Sequence, residues 1–254
     1  MKNVRVFLSA GLVVGLLFAL QAHASAITFS WSGAPIVGED PTFLPSGSAE
    51  FEISGSQLLI TLTNDSGQTM RENWQTLTGL TWDIESGATL SPVSAVVPSG
   101  SQVYDLVGHP PVLVILPGIN DISGEWAYRN GLSLGPYGIS AVGSLLEVGV
   151  FGPDDLFDQD GNLWGPAGLN GVQGGIVGTD FSPNNGFVTP VVQNQVVFTF
   201  NFNGNLSESD FTDVNPIFGS KGMPTSVPPV PEPATLSLLG LGLVGLPFFR
   251  KRSK

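Results

Sequence analysis

The chain has 254 residues, of which 42% are hydrophobic and only 12% charged, with 33 glycines, 20 prolines and no cysteine. The lack of cysteine excludes disulfides, thiolate zinc sites and cysteine nucleophiles within this chain, and the many turn-forming residues favour a β protein over a helical bundle. Residues 25–230 carry 3 basic and 20 acidic side chains, a net charge of 3 − 20 = −17, which argues against a nucleic-acid partner.

The first segment of the chain has the features of an export signal. Lys2 and Arg5 precede an apolar run at 6–20, and Ala22 and Ala24 are the small residues of an A-x-A cleavage site. We predict a signal peptide at residues 1–24 and cleavage between Ala24 and Ser25. The expected partners at this end are the Sec export machinery and signal peptidase.

Short runs in which apolar and polar residues alternate follow the signal. A period of two is typical of half-buried β-strands. Turn-forming sequences separate the runs, and the chain shows no fixed-period repeat. We therefore predict an all-β ectodomain at residues 27–220, a single antiparallel β-sandwich or jelly roll. The predicted strands are Ala49–Ile53, Gln57–Thr63, Gly79–Glu85, Val112–Leu116, Ser144–Phe151 and Val192–Phe202.

The side chains that enzymes use for nucleophilic catalysis are scarce. His109 is the one histidine after the predicted signal, it precedes two prolines, and the chain has no G-x-S-x-G motif. Glu125 and Glu147 lie in partly apolar surroundings and are the candidates for a carboxylate pair of the kind that glycoside hydrolases use. We predict a protein that is not an enzyme and keep a carboxylate-dependent glycoside hydrolase as the third hypothesis.

The densest acidic run of the chain contains Asp154, Asp155, Asp158 and Asp160. Their carboxylates and the turn at Gly161 suit a calcium loop, although the register rules out an EF-hand. A solvated acidic turn is the alternative interpretation. We expect no cofactor other than calcium, and these four aspartates are the metal candidates.

The tryptophans divide into core and loop candidates. Trp82 lies in an alternating run typical of core. Trp74 and Trp164 lie in polar, loop-like contexts, where an exposed indole can stack on a sugar ring. They are the candidate glycan platform, and burial in the core or in an interface is the competing interpretation.

The last 34 residues divide into a linker and a tail. Residues 221–230 are rich in proline and are predicted to form an extended linker. Residues 234–249 are sixteen residues without a charge, about 24 Å as a helix. A basic tail follows at 250–254, with Arg250, Lys251 and Arg252 as a stop that remains cytoplasmic.

Pro231, Glu232 and Pro233, followed by Ala234-Thr235, the apolar segment and the basic stop, resemble the PEP-CTERM sorting signal of Gram-negative bacteria that make exopolysaccharide. The resemblance covers residues 231–254. It implies that an exosortase recognises the motif, removes the transmembrane helix at 234–249 and passes the protein outward. A permanent single-span anchor with a proline-rich stalk is the alternative.

The ectodomain is similar to an uncharacterised family of PEP-CTERM proteins, through stretches such as 124–129, 137–140 and 170–173. The resemblance implies location and assigns no functional residues. We expect an exported protein, transiently anchored by its C-terminal helix and then placed at the cell surface or in the extracellular matrix. There it acts without catalysis in or on exopolysaccharide or biofilm, or, alternatively, binds carbohydrate as a β-sandwich module, with calcium as a candidate aid.

Overall fold

The structure, a computed structural model, describes residues 25–36, 38–130, 136–142, 175–187, 189–219, 221–222 and 228–230. Within these residues the chain forms β-strands and three short 3-10 turns, with no α-helix, so the prediction of a mostly β protein is confirmed. The strands are β1 (Ser25–Ser32), β2 (Ser46–Ser54), β3 (Gln57–Asn64), β4 (Leu77–Ile84), β5 (Thr89–Val96), β6 (Gln102–Val107), β7 (Val112–Leu116), β8 (Ala127–Asn130), β9 (Tyr137–Ser140), β10 (Ile176–Val177), β11 (Val191–Gln193), β12 (Gln195–Asn203), β13 (Phe211–Phe218), β14 (Lys221–Gly222) and β15 (Pro229–Val230).

One sheet has six strands in the order β15-β1-β2-β3-β12-β5, and all its neighbours are antiparallel. Its hairpin β2–β3 pairs Ser54 with Gln57, which leaves a two-residue loop. Gly55, the first loop residue, has a φ of 63°. Two-residue hairpin loops need such positive φ values, and glycine adopts them without steric cost.

The second sheet has nine strands and is branched. Its main path is β14-β13-β4-β10-β11-β6-β7, and β9 also pairs with β4 and carries β8 on its other side. The antiparallel prediction holds for these pairs except for one, since β10 and β11 run parallel. Strand β4 is the centre of the branch, and both of its faces are buried.

The core lies where the side chains of the two sheets meet. Phe51 of the six-stranded sheet packs against Trp82 and Phe211 of the other sheet, with ring centroids 5.9 and 4.6 Å apart. Trp126 and Phe198 meet in the same way at 4.8 Å. These five aromatic residues are 0 to 2% exposed. The alternation that predicted Trp82 as core is therefore confirmed.

A buried polar side chain links the sheets at one end. Asn64, the last residue of β3, donates from Nδ2 to the carbonyl oxygen of Ile176 in β10 at 2.8 Å. Its Oδ1 accepts the N–H of Ser66 at 3.1 Å. Because both ends of the amide are bonded, Asn64 is tolerated although it is fully buried.

Two segments carry the chain from one sheet to the other. Asn194, with a φ of 86°, separates β11 from β12, and these strands belong to different sheets. After β7 the chain crosses to the outer side of β5. There the N–H of Val97 donates to the carbonyl of Asn120 at 2.7 Å, and the N–H of Ile122 donates to that of Ala95 at 3.0 Å. This crossing segment closes the β5 edge of the six-stranded sheet.

Candidate functional site

The described residues that adjoin the two predicted processing points belong to paired strands. Strand β1 begins at Ser25, the predicted first residue after the signal. Strand β15 pairs with β1, with Val230 opposite Thr28 and Pro229 opposite Phe29 in antiparallel register. The chain at Val230 is therefore directed along β1 toward Ser25. The sorting motif at 231–233 starts immediately after this pair and, with the basic stop, lies outside the described residues.

Both ends of the predicted linker take part in strand pairing. Lys221 and Gly222 pair with Phe218 and Ile217 of β13 as β14, and β15 ends the six-stranded sheet. That residues 221–230 form an extended linker stays a prediction. The structure shows in addition that residues 221–222 and 229–230 pair with strands of the two sheets. Sequence reasoning missed β15 because a proline-rich stretch gives no strand signal, although proline is accepted on an edge strand.

Trp74 is half-buried, whereas Trp31, Trp82 and Trp126 are at most 5% exposed. Its ring meets that of Phe43 edge to face, with centroids 5.3 Å apart and planes at 88°. It belongs to the 3-10 turn Asn73–Gln75. The structure thus leaves part of the Trp74 surface accessible while fixing one edge of the ring.

Polar loop residues surround this turn. Gln75 Oε1 accepts the N–H groups of Arg71 and Glu72 at 2.6 and 2.9 Å, which fixes the turn from within. The carboxylate of Glu72 accepts a hydrogen bond from the side-chain amide of Asn184. Asn184 is exposed. The half-buried indole of Trp74 therefore belongs to a turn whose neighbouring side chains are polar and hydrogen-bonded.

The other candidate residues of the sequence fall outside the description. The acidic run with Asp154, Asp155, Asp158 and Asp160 lies in the stretch 143–174, which the structure does not describe, and so does Trp164. Among the residues that it does describe, no three His, Cys, Asp or Glu side chains are grouped so that they could hold a metal ion. Calcium therefore stays a prediction.

The catalytic candidates are only partly placed. Glu125 ends a 3-10 turn before β8, and burial of its half-buried side chain raises the pKa of its carboxyl. A raised pKa suits a general acid, but its predicted partner Glu147 lies outside the described residues. His109 is exposed in the turn between β6 and β7. The carboxylate pair stays a hypothesis.

The described part of the chain contains no helix that is long and apolar enough to cross a membrane. The predicted sorting helix at 234–249 is not part of that description.

Comparison with known proteins bears on the segment that follows the fold. A family model described as the PEP-CTERM protein-sorting motif matches residues 229–253. No curated protein and no solved structure matches the chain. The matched segment begins at Pro229, the first residue of β15, and includes Pro231, Glu232 and Pro233. The chain therefore carries a PEP-CTERM protein-sorting motif at its C-terminal end, which implies processing by an exosortase and export to the cell surface or the extracellular space.

Proposed function

We propose that this chain acts without catalysis as a surface or matrix protein, in or on the exopolysaccharide of a Gram-negative biofilm. The signal peptide at 1–24 brings it through the Sec machinery, and the helix at 234–249 holds it in the inner membrane until exosortase acts. In this proposal the ectodomain is an antiparallel β-sandwich or jelly roll. The match of the sorting motif at residues 229–253 carries this proposal.

The acidic surface supports a role outside the cell. Residues 25–230 carry a net charge of 3 − 20 = −17, which repels anionic membranes and favours solubility in water. A hydrated polysaccharide matrix is compatible with such a charge, particularly where divalent cations bridge acidic groups.

Intact-mass spectrometry of the protein from its producing host tests the sorting step. We expect a chain that ends within or next to Pro231–Pro233 in the wild type. The same protein should retain its tail in a strain without exosortase, because no other enzyme in the proposal cuts there.

Alanine substitution of Pro231, Glu232 and Pro233 should also leave the tail in place, whereas Pro228→Ala, just before the matched segment, should be processed normally. A tail that remains intact in the wild-type strain would contradict exosortase processing and support the permanent anchor.

The second candidate function is carbohydrate binding, which the exposure of Trp74 favours. An indole that stacks on a sugar ring loses most of its contact area when it is truncated. Trp74→Ala should therefore reduce binding of the ectodomain to polysaccharide from its producer at least tenfold, a loss equivalent to about 1.4 kcal/mol.

Ile119→Ala is the matched control, since Ile119 is an exposed apolar residue at 38% and lies far from Trp74 in the chain. Binding is measured by isothermal titration in the presence of calcium and again with a chelator. Equal binding by wild type and Trp74→Ala would rule out this surface as the platform.

A further inference from the structure

The β6–β7 hairpin concentrates the exposed apolar side chains of the described residues. Five large apolar residues in that part of the chain are exposed, and four of them lie between positions 106 and 120. They are Val107, Val112, Ile115 and Ile119, with exposures of 43, 58, 48 and 38%. Residues 106–120 contain no Asp, Glu, Lys or Arg, although the ectodomain around them is strongly acidic.

Strand β7 is the last strand of the main path of its sheet, and within the described residues it pairs only with β6. Proteins commonly protect such edges with charged side chains, bulges or a covering segment. The outer side of β5, at the edge of the other sheet, is covered in this way by the segment around Asn120. Strand β7 carries no charge on its five residues.

The hydrogen bonds of neighbouring strands fix which backbone groups of β7 face outward. In β11, the N–H of Val192 donates to the carbonyl oxygen of Gly175, on the β10 side. Because backbone groups alternate in direction along a strand, the N–H and C=O groups of Val191 and Gln193 face β6. Their partners there are Tyr104 and Gln102. The N–H of Leu106, the next residue of β6 that faces away from β7, donates to Asp105 Oδ1 at 2.7 Å and to Thr189 Oγ1 at 3.2 Å, and Thr189 lies just before β11.

The alternation of an antiparallel ladder then decides the orientation in β7. Val103, Asp105 and Val107 direct their backbone groups to β7, where Leu116, Val114 and Val112 are their partners. Leu113 and Ile115 therefore present their N–H and C=O groups to the edge of β7 that has no partner strand among the described residues. Pro111 and Pro117 occupy the next outward positions on either side, and proline has no N–H.

We propose that the outer edge of β7 docks against the same edge of a second copy of this chain, antiparallel and two-fold symmetric about Val114. In this register all five residues of one β7 lie opposite all five of the other. Leu113 of one copy exchanges two backbone hydrogen bonds with Ile115 of its partner, and the symmetric pair does the same. Pro111 and Pro117 lie opposite each other at both ends and limit the pairing to this stretch.

The symmetry of the edge favours a second copy as the occupant. Leu113 and Ile115, and the prolines at 111 and 117, are placed symmetrically about Val114, so the edge is complementary to itself. The net charge of −17 on residues 25–230 of each chain opposes the contact, and it does so least at a segment without charged residues. A two-fold contact also closes, so it makes a dimer and no open-ended fibre. Two five-residue strands bury less than the roughly 1,200 Å² of surface that stable interfaces bury, so the proposed dimer is weak. It therefore forms where the protein is concentrated, as at a cell surface.

A cysteine at the symmetry axis tests the proposal, because the chain has no cysteine of its own. Val114 would face Val114 of the partner in a non-hydrogen-bonded pair, where Cα atoms are about 4.5 Å apart, within the range of disulfides. We expect full-length Val114→Cys, exported by its host, to give a disulfide-linked dimer on non-reducing gels.

Val112→Cys is the matched control. Val112 is more exposed than the half-buried Val114, so random collision would cross-link it more readily. In the proposed register it lies opposite Leu116, and its thiol finds no partner. We expect at least tenfold less dimer from Val112→Cys than from Val114→Cys.

Ile115→Pro in the Val114→Cys background should abolish the cross-link, since it removes an outward N–H and keeps the bonds of β7 to β6. Its urea midpoint, compared with Val114→Cys alone, checks that the fold persists. The yield of the Val114→Cys dimer should rise with salt, because the Debye length falls from about 10 Å at 0.1 M to 3 Å at 1 M and screens the repulsion.

Three outcomes would overturn the proposal. Equal cross-linking of Val112→Cys and Val114→Cys would mean collision without register. A monomer from Val114→Cys would mean that the edge does not pair with a second copy, as when residues 143–174 of the same chain cover it. A disulfide adduct with a different mass would mean that another protein is the occupant.

Discussion

The exposed carboxylate of Asp121 helps to hold the crossing segment, which joins β7 to the outer side of β5, in place. Its Oδ1 accepts the hydroxyl of Ser123 at 2.7 Å and the N–H of Ser123 at 3.0 Å. Ser123 is buried, and its Oγ in turn accepts the N–H of Ala95 in β5 at 2.9 Å. The hydroxyl and then the N–H of Ser123 lower the pKa of Asp121.

A lowered pKa in the folded state makes stability depend on pH in a defined direction. Asp121 stabilises the fold above the pKa it has in the unfolded chain, near 4, and this stabilisation is lost as the pH falls through the lower folded pKa. Asp121→Asn should therefore lower the urea midpoint at pH 7, and this effect should become smaller as the pH falls toward 2 and the carboxyl is protonated.

The same comparison in a Ser123→Ala background is the control, because it removes both the hydroxyl donor and the link to Ala95. There the pH-dependent part of the Asp121→Asn effect should shrink. An Asp121→Asn effect of equal size at pH 7 and pH 2 would mean that the charge of the carboxylate contributes nothing.

The strands show where sequence patterns succeed and where they stop. The apolar run Val112–Leu116 predicts β7 with its observed bounds. The pattern at Val192–Phe202 predicts one strand, but the chain forms β11 and β12 in different sheets. The break at Asn194 is a left-handed backbone conformation, which asparagine tolerates and which leaves the alternation of side chains almost undisturbed.

Strand β4 owes its central position to a close approach that only glycine permits. An ideal Cβ on Gly79 would lie 2.5 Å from the carbonyl oxygen of Ile139 in β9 and 3.3 Å from Ile217 Cδ1 in β13. Gly79→Ala must push one of these neighbours away, so we expect a loss of about 1–3 kcal/mol in the free energy of unfolding.

Gly67→Ala is the matched control for this loss, because nothing lies within 4 Å of a Cβ at Gly67. Urea unfolding followed by tryptophan fluorescence measures both variants. If Gly79→Ala unfolds at the wild-type urea midpoint, β9 leaves room for a Cβ on Gly79 and the close approach is not required.

At the scale of the whole molecule, the sequence predicts the sorting of the protein better than it predicts which groups lie on its surface. The sorting motif at 231–233 is read from consecutive residues, because a processing enzyme reads it in that form. The outward groups of Leu113 and Ile115 depend on hydrogen bonds made three strands away, from β10 through β11 and β6. The placement of Trp74 against Phe43 likewise depends on contacts between separate segments.

The two residues of β15 have a mechanical consequence for a protein held by its tail. A pull on the sorting motif would act first on the pairing of Val230 and Pro229 with β1, the two paired positions of β15 among the described residues. Residues 223–230 follow β14 and span roughly 26 Å when fully extended, so the load would reach β14 and β13 only after that length had been drawn out. Shear from flowing water would therefore lengthen the tether first and leave the folded domain intact.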